Sequence, residues 1–163
     1  MAFEMGQHRA AWQAAGATQI ETEHILVTSL SGAGSARPLP QGLAIEHVAD
    51  DAGLQDCAAV ISAGRDQWTA GFFQLTNPSI TASQESMRFY LARLAGRPVA
   101  TAAQFFWGGL AGIWWVTTIP DFRRRGISTT ITRAVLSDAA HLGYHAAMVE
   151  ASPDAAPPRG PGP

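Results

Sequence analysis

The sequence predicts an α/β fold built on a mixed, mostly antiparallel sheet flanked by helices, on three observations. Three apolar runs between Phe89 and Thr118 are separated by two short glycine-containing turns, the pattern of an antiparallel meander. An amphipathic helix and a further apolar strand follow, which implies a parallel neighbour reached by a right-handed crossover. A strand–helix pair between Leu43 and Gly64 precedes the meander.

Taken in order, Met5 to Ala15 reads as a helix stopped by Gly16, and Ile20 to Leu30, with its β-branched residues, as a strand. Ser31 to Gln41 carries two glycines and two prolines and reads as a linker. Leu43 to Val48 is a short strand. Asp50 or Asp51 caps the next helix by accepting first-turn amides. Leu54, Cys57, Ala58 and Ile61 share its apolar face, and Gly64 suits its exit. Arg65 to Glu85 reads as a short helix and a long loop. The meander strands are Phe89–Leu94, Val99–Trp107 and Ala111–Thr118, with Trp114 and Trp115 expected on opposite faces of the third. Pro120 ends the sheet. A helix from Ser128 to Leu142 presents Ile127, Ile131, Ala134, Val135, Ala139 and Leu142 as one stripe. Gly143 ends it, Ala146 to Ala151 is a buried strand, and the proline- and glycine-rich Pro153 to Pro163 is a disordered tail.

Composition narrows the class of protein. At 163 residues, 47% hydrophobic and 15% charged, the chain has the size and make-up of one globular domain. A net charge of -2 offers no basic footprint for nucleic acid. No apolar run approaches the roughly 20 residues that cross a bilayer, and the N-terminus does not read as a signal peptide. With Cys57 as the only cysteine, a cytoplasmic location is the expectation.

The chemistry-bearing stretch is Ile113 to Thr129: a strand, a proline stop, a basic loop, a glycine and a helix start. Unpaired first-turn amides carry partial positive charge and suit a phosphate. Gly126 lets backbone approach an anion without a Cβ, and Arg123, Arg124 and Arg125 add charge beside it. The alternative for such a cluster is a solvated basic surface.

This stretch resembles motif A of the GNAT superfamily of N-acetyltransferases, Arg/Gln-x-x-Gly-x-Gly/Ala, with Arg123, Gly126 and Ser128 at its defined positions. Val116-Thr117-Thr118-Ile119-Pro120 is similar to the family's V-x-T-x-P lead-in, and LARLAGRPVATAAQFF to its second and third strands. The amphipathic helix, Gly143-Tyr144 and the strand ending Glu150-Ala151-Ser152 extend the resemblance over about Leu43 to Ser152. The resemblance implies a GNAT-like fold that binds acetyl-CoA and transfers its acetyl group to the primary amine of a small-molecule or peptide acceptor. Backbone of Trp115, Val116 and Thr117, continuing to Thr118, would pair with the pantetheine arm. Amides from Arg124 through Gly126, Ile127, Ser128 and Thr129 would wrap the pyrophosphate. A base would deprotonate the ammonium, an acid would protonate the leaving thiolate, and a donor from the splayed strand would stabilise the oxyanion.

Two departures stand out. Ser128 replaces the usual Gly or Ala. After Ser152 the family continues with a tyrosine-bearing helix and two strands; here the Pro/Gly tail follows. The expectation is a truncated or frameshifted chain, with the last helix and C-terminal strands missing. With one edge and one face exposed, the expectation is either low stability, or rescue by the N-terminal unit, whose strand Ile20–Leu30 could cover part of that face, or by a homodimer. The parts are then a helix–strand extension and linker (1–41), a GNAT-like domain (42–152) and a tail (153–163). The rival reading is a degenerate module that binds coenzyme A, or nothing, without turnover.

Glu150, Glu85 and Asp121 are candidate bases, with Glu150 chosen. His141 and His145 have zinc-ligand spacing but are separated by Gly143, so no metal is expected. Tyr90 and Tyr144 are not where the family keeps its acid. Arg125 to Leu136 also has the look of a turn and recognition helix, but Pro120 and the β-branched run before it oppose a helix-turn-helix.

Overall fold

Alternating apolar positions between Leu43 and Thr118 build a sheet with a helix on each face. The computed structural model describes residues 11, 13–18, 24–31, 39–65 and 86–151. The chain divides into Met1–His24 with Ala151–Pro163, and Ile25–Glu150. In the first unit, residues 11 and 13–18 include the end of a helix, with Ala15 N–H donating to Ala11 O at 3.1 Å before Gly16 turns at φ 87°. Most of the Met5–Ala15 helix, the segment 66–85 and the tail lie outside the described residues.

The strands are β1 (His24–Ser29), β2 (Leu43–Val48), β3 (Met87–Leu94), β4 (Arg97–Trp107), β5 (Leu110–Thr118) and β6 (Ala146–Ala151). The helices are α1 (Asp51–Gly64) and α2 (Ile127–His141), with a 3-10 turn over Pro120–Phe122. The sheet order is β1-β6-β5-β4-β3-β2. β2 to β5 form an antiparallel meander, and β5 pairs β6 in parallel, as the strand–helix–strand order implied. The strand that could have covered part of the exposed face takes the sheet edge beside β6, where Leu30 N–H donates to His145 O at 2.9 Å.

Both meander turns are two residues long with positive φ throughout: Ala95 (50°) and Gly96 (80°), then Gly108 (57°) and Gly109 (82°). That conformation matches the right-handed strand twist, and glycine adopts it without a Cβ penalty. Asp50 caps α1, its carboxylate accepting from Gly53 N–H at 2.8 Å.

The α1 face of the sheet buries Leu54, Cys57, Val60 and Ile61 against Val48, Phe89, Leu91 and Ala103. The α2 face buries Ile127, Ile131 and Val135 against Tyr90, Ala92, Ala100, Ala102 and Ile113. Each buried Val, Leu, Ile or Phe among these contributes about 2 kcal/mol of burial free energy. The α2 stripe ends sooner than the sequence suggests: Ala139 is fully buried but Leu142 is 43% exposed, because the helix has ended at His141.

Polar ties cross both interfaces. On the α2 side Tyr90 donates its hydroxyl to Asp138, which also receives Arg88 at 3.0 Å. Gln104 Nε2 donates to Val135 O at 2.9 Å. On the α1 side Arg93 bridges Glu46 and Asp56, each at 2.7 Å.

Candidate active site

The register along β5 creates the site. β4 and β5 pair regularly from Trp107↔Leu110 to Ala103↔Trp114, then shift by one residue before Thr101↔Thr117. The extra residue is at Trp115, whose φ of 51° is the left-handed conformation of a β-bulge. A bulge turns two successive side chains to one face. Trp114 therefore stacks on Phe105 at 4.2 Å and Trp115 on Phe89 at 6.0 Å, both on the α1 side. The expectation that they face oppositely is corrected, since strict alternation fails at a bulge.

On its other edge β5 pairs β6 only from Leu110↔Ala146 to Ile113↔Val149. Beyond Ile113 the ladder stops, so the sheet splits in its interior between β5 and β6. Register puts Gly112 beside Met148 on the α1 side. Two residues on along each strand, Trp114 and Glu150 flank the mouth of the split on that face. Glu150 is exposed.

At the far end of β5, Val116 packs into the α2-side core. Thr117 is buried, and its Oγ1 accepts from Arg65 Nε at 3.2 Å. Thr118 is 9% exposed with a buried hydroxyl that has no partner among the described residues. The α1 exit fits closely here: a Cβ on Gly64 would lie 2.5 Å from Thr117 Cγ2.

The three arginines separate into different roles. Arg123 donates to Thr118 O at 3.0 Å and to Gly64 O at 2.8 Å, so its guanidinium ties the loop to β5 and α1. Arg125 donates to Asp121 O at 3.1 Å and lies 5.3 Å from the Phe122 ring centroid, which Arg97 also approaches at 5.1 Å. Arg124 is exposed and left-handed at φ 63°. Gly126 follows at φ 76° as the α2 N-cap and offers no side-chain cap. Two left-handed residues around Arg125 curl the backbone into the helix start. Thr130 returns its N–H and hydroxyl to Gly126 O at 3.0 and 2.9 Å, closing the first turn. Ile127 anchors that turn in the core at 3% exposed, while Ser128 and Thr129 face outward. The uncapped amides of this turn, glycine cradle and exposed hydroxyls fit a pyrophosphate.

Gly64, Arg97 and Thr130 were not among the residues expected here. Thr130 follows the motif directly on α2, whereas packing of α1 and of the β3–β4 turn against the loop brings in Gly64, Arg65 and Arg97. Among the other candidates, Asp121 is exposed in the 3-10 turn, and Glu85 lies outside the described residues. Tyr144 stacks on Phe106 at 4.7 Å, and burial together with Asp138 pushes the Tyr90 hydroxyl far up. His141 and His145 are exposed, and the described residues contain no cluster of three or more metal-ligating side chains. Cys57 is fully buried and its thiol is pushed up to about 11 by that burial.

The chain matches the description "Acetyltransferase (GNAT) domain" over residues 43–149. No curated protein matches it by sequence. Among solved structures it is similar to a GCN5-related N-acetyltransferase from Kribbella flavida, with 20% identity and a TM-score of 0.65 over 93% of this chain and 56% of that one. A GCN5-related N-acetyltransferase from Sphaerobacter thermophilus gives 15% identity and a TM-score of 0.68 over 94% and 50%. A protein from Clostridium acetobutylicum described as a predicted acetyltransferase, solved with acetyl-CoA, gives 15% and 0.53 over 68% and 82%. The chain thus spans little more than half the length of the first of these. A split sheet leading into an uncapped helix, and a family match over that same region, give one conclusion: the chain belongs to the GNAT acetyltransferase family.

Proposed function

We propose that this chain is an N-acetyltransferase that takes acetyl-CoA and acetylates the primary amine of a small-molecule or peptide acceptor. The observation that carries the reading is the continuity of the split between β5 and β6 with the glycine-turned start of α2. A phosphate-bearing ligand with a long arm needs both, one for its charge and one for its arm.

Amides from Arg124 to Thr129 would hold the pyrophosphate, with Arg124 and Arg125 supplying charge and Arg123 holding the loop in shape. Trp115, Val116, Thr117 and Thr118 would line the arm along β5. Acetyl-CoA brings an activated acetyl thioester. Glu150, across the mouth of the split, would take the ammonium proton, directly or through water, freeing the amine lone pair. That pair would form the new C–N bond as the carbonyl π electrons move onto oxygen; on collapse the C–S bond breaks, its electrons leave on sulfur, and the remaining N–H proton passes through water to that thiolate, giving the amide and CoA.

Isothermal titration with acetyl-CoA tests the reading, using wild type and an Arg124→Ala, Gly126→Glu double variant. Micromolar binding that the variant loses is expected. A folded wild type that binds neither acetyl-CoA nor CoA would overturn it.

A further inference from the structure

We infer that the indole N–H of Trp114 is the hydrogen-bond donor to the acetyl carbonyl at the mouth of the β5–β6 split; this rests on the acetyl-CoA reading above.

Trp114 Nε1 is buried and has no hydrogen-bond partner among the described residues. Indole N–H is a donor only, and burying it unpaired is costly, so such a group calls for an acceptor that arrives. The ring is held in place by its neighbours. It stacks on Phe105 with 16° between planes, and Phe105 in turn lies over Gly112, where a Cβ would come within 1.8 Å of ring carbon Cε1. Glycine at 112 is what lets Phe105 lie down on β5 and support the indole. By contrast, the neighbouring Trp115 stacks on Phe89 in the α1-side core.

Position selects the ligand atom. Trp114 is the first residue of β5 beyond the last β6 pair, Ile113↔Val149. An arm anchored at the α2 start runs back along β5 from Thr118, and four strand residues at about 3.3 Å each place its far end at Trp114, roughly 13 Å away. That far end carries the thioester. Glu150 stands on the opposite lip, so the acyl carbon is approached by the amine from one side while its oxygen meets a donor held out of water. A fixed donor in a dry site is worth more to a developing oxyanion than one that must first shed water.

The test compares CoA, which lacks the carbonyl, with acetyl-CoA. Wild type is expected to bind acetyl-CoA about fivefold more tightly than CoA, the ratio one neutral hydrogen bond supports. Trp114→Phe, which keeps the stacked ring but loses the N–H, is expected to bind both equally with CoA affinity unchanged. Protein labelled with 15N on its five tryptophans should show one indole resonance, absent from the variant, that moves downfield with acetyl-CoA and not with CoA. If Trp114→Phe does not fold, Trp114→His assigns the same resonance. CoA binding with an indole resonance that stays still, or moves alike with both ligands, refutes the Trp114 role and leaves the acetyl-CoA reading standing. Absence of binding by either ligand defeats that reading, and the Trp114 role with it.

Discussion

Tyr90 on β3 donates its hydroxyl to Asp138 on α2, and this one bond joins the centre of the sheet to the last turns of the helix whose start forms the candidate phosphate site. The same hydroxyl lies 3.0 Å from Gln104 Oε1, and Gln104 itself holds Val135 O, so the helix is fastened by a connected polar network. Tyr90→Phe should cost about 1–3 kcal/mol by removing the one hydroxyl beside buried Gln104 Oε1 and leaving Asp138 with Arg88 as its partner, read as a lowered midpoint in urea. The folded state disfavours the Tyr90 phenolate, so its share of stability is full below pH 10 and is lost as the pH rises above it.

His47 gives a shift of opposite consequence at acid pH. Its ring meets Tyr90 edge-on at 5.7 Å, and desolvation, followed by the Arg88 charge, lowers its pKa below 6.5. Folded protein therefore binds fewer protons there than unfolded chain. Stability from this site is present above pH 6.5 and is lost as pH falls through the folded-state value. His47→Gln should flatten the decline in thermal midpoint between neutral and mildly acid buffer.

The Ala95 turn is an unforced strain. Ala95 sits at φ 50°, where a Cβ is penalised, although the turn type asks for asparagine or glycine. Ala95→Asn should stabilise the protein by about 0.5–1 kcal/mol, and Ala95→Gly by less because glycine loses more entropy on folding. A thermal midpoint unchanged or lowered by Ala95→Asn would show that the turn is not in this conformation in solution.

Two arginines one residue apart should behave differently. Arg123→Ala removes bonds to Thr118 O and Gly64 O and is expected to lower both stability and coenzyme affinity, the latter about tenfold by loosening the loop. Arg124→Gly relieves a left-handed residue and should leave stability equal or slightly higher, while weakening coenzyme binding through lost charge. Paired thermal melts and titrations distinguish them.

Cys57 should not react with thiol reagents in the native state. Burial raises its pKa to about 11, so almost no thiolate exists at neutral pH, and its exposure is 0%. Labelling should appear only with denaturant, tracking global unfolding.

Local chemistry in the sequence determined a great deal of this protein. Leu43–Val48, the Asp50-capped helix, two tight hairpins and the Gly126 turn into an amphipathic helix all follow from residue-level dihedral and burial preferences, and the structure has each. The ordered set was also enough to identify the family. Tertiary structure alone decided where the chain departs from periodicity. Nothing in the pair Trp114-Trp115 announces a bulge, because its position is fixed by how β4 registers on β5 beyond Ala103. The end of the β5–β6 ladder at Ile113–Val149, the place of β1 at the sheet edge, and the anchoring of Arg123 by Gly64 are likewise set by distant partners. Side-chain period and capping are local properties and can be read along the chain. Register and edge pairing are contacts between residues far apart in sequence, and only the folded sheet chooses among them.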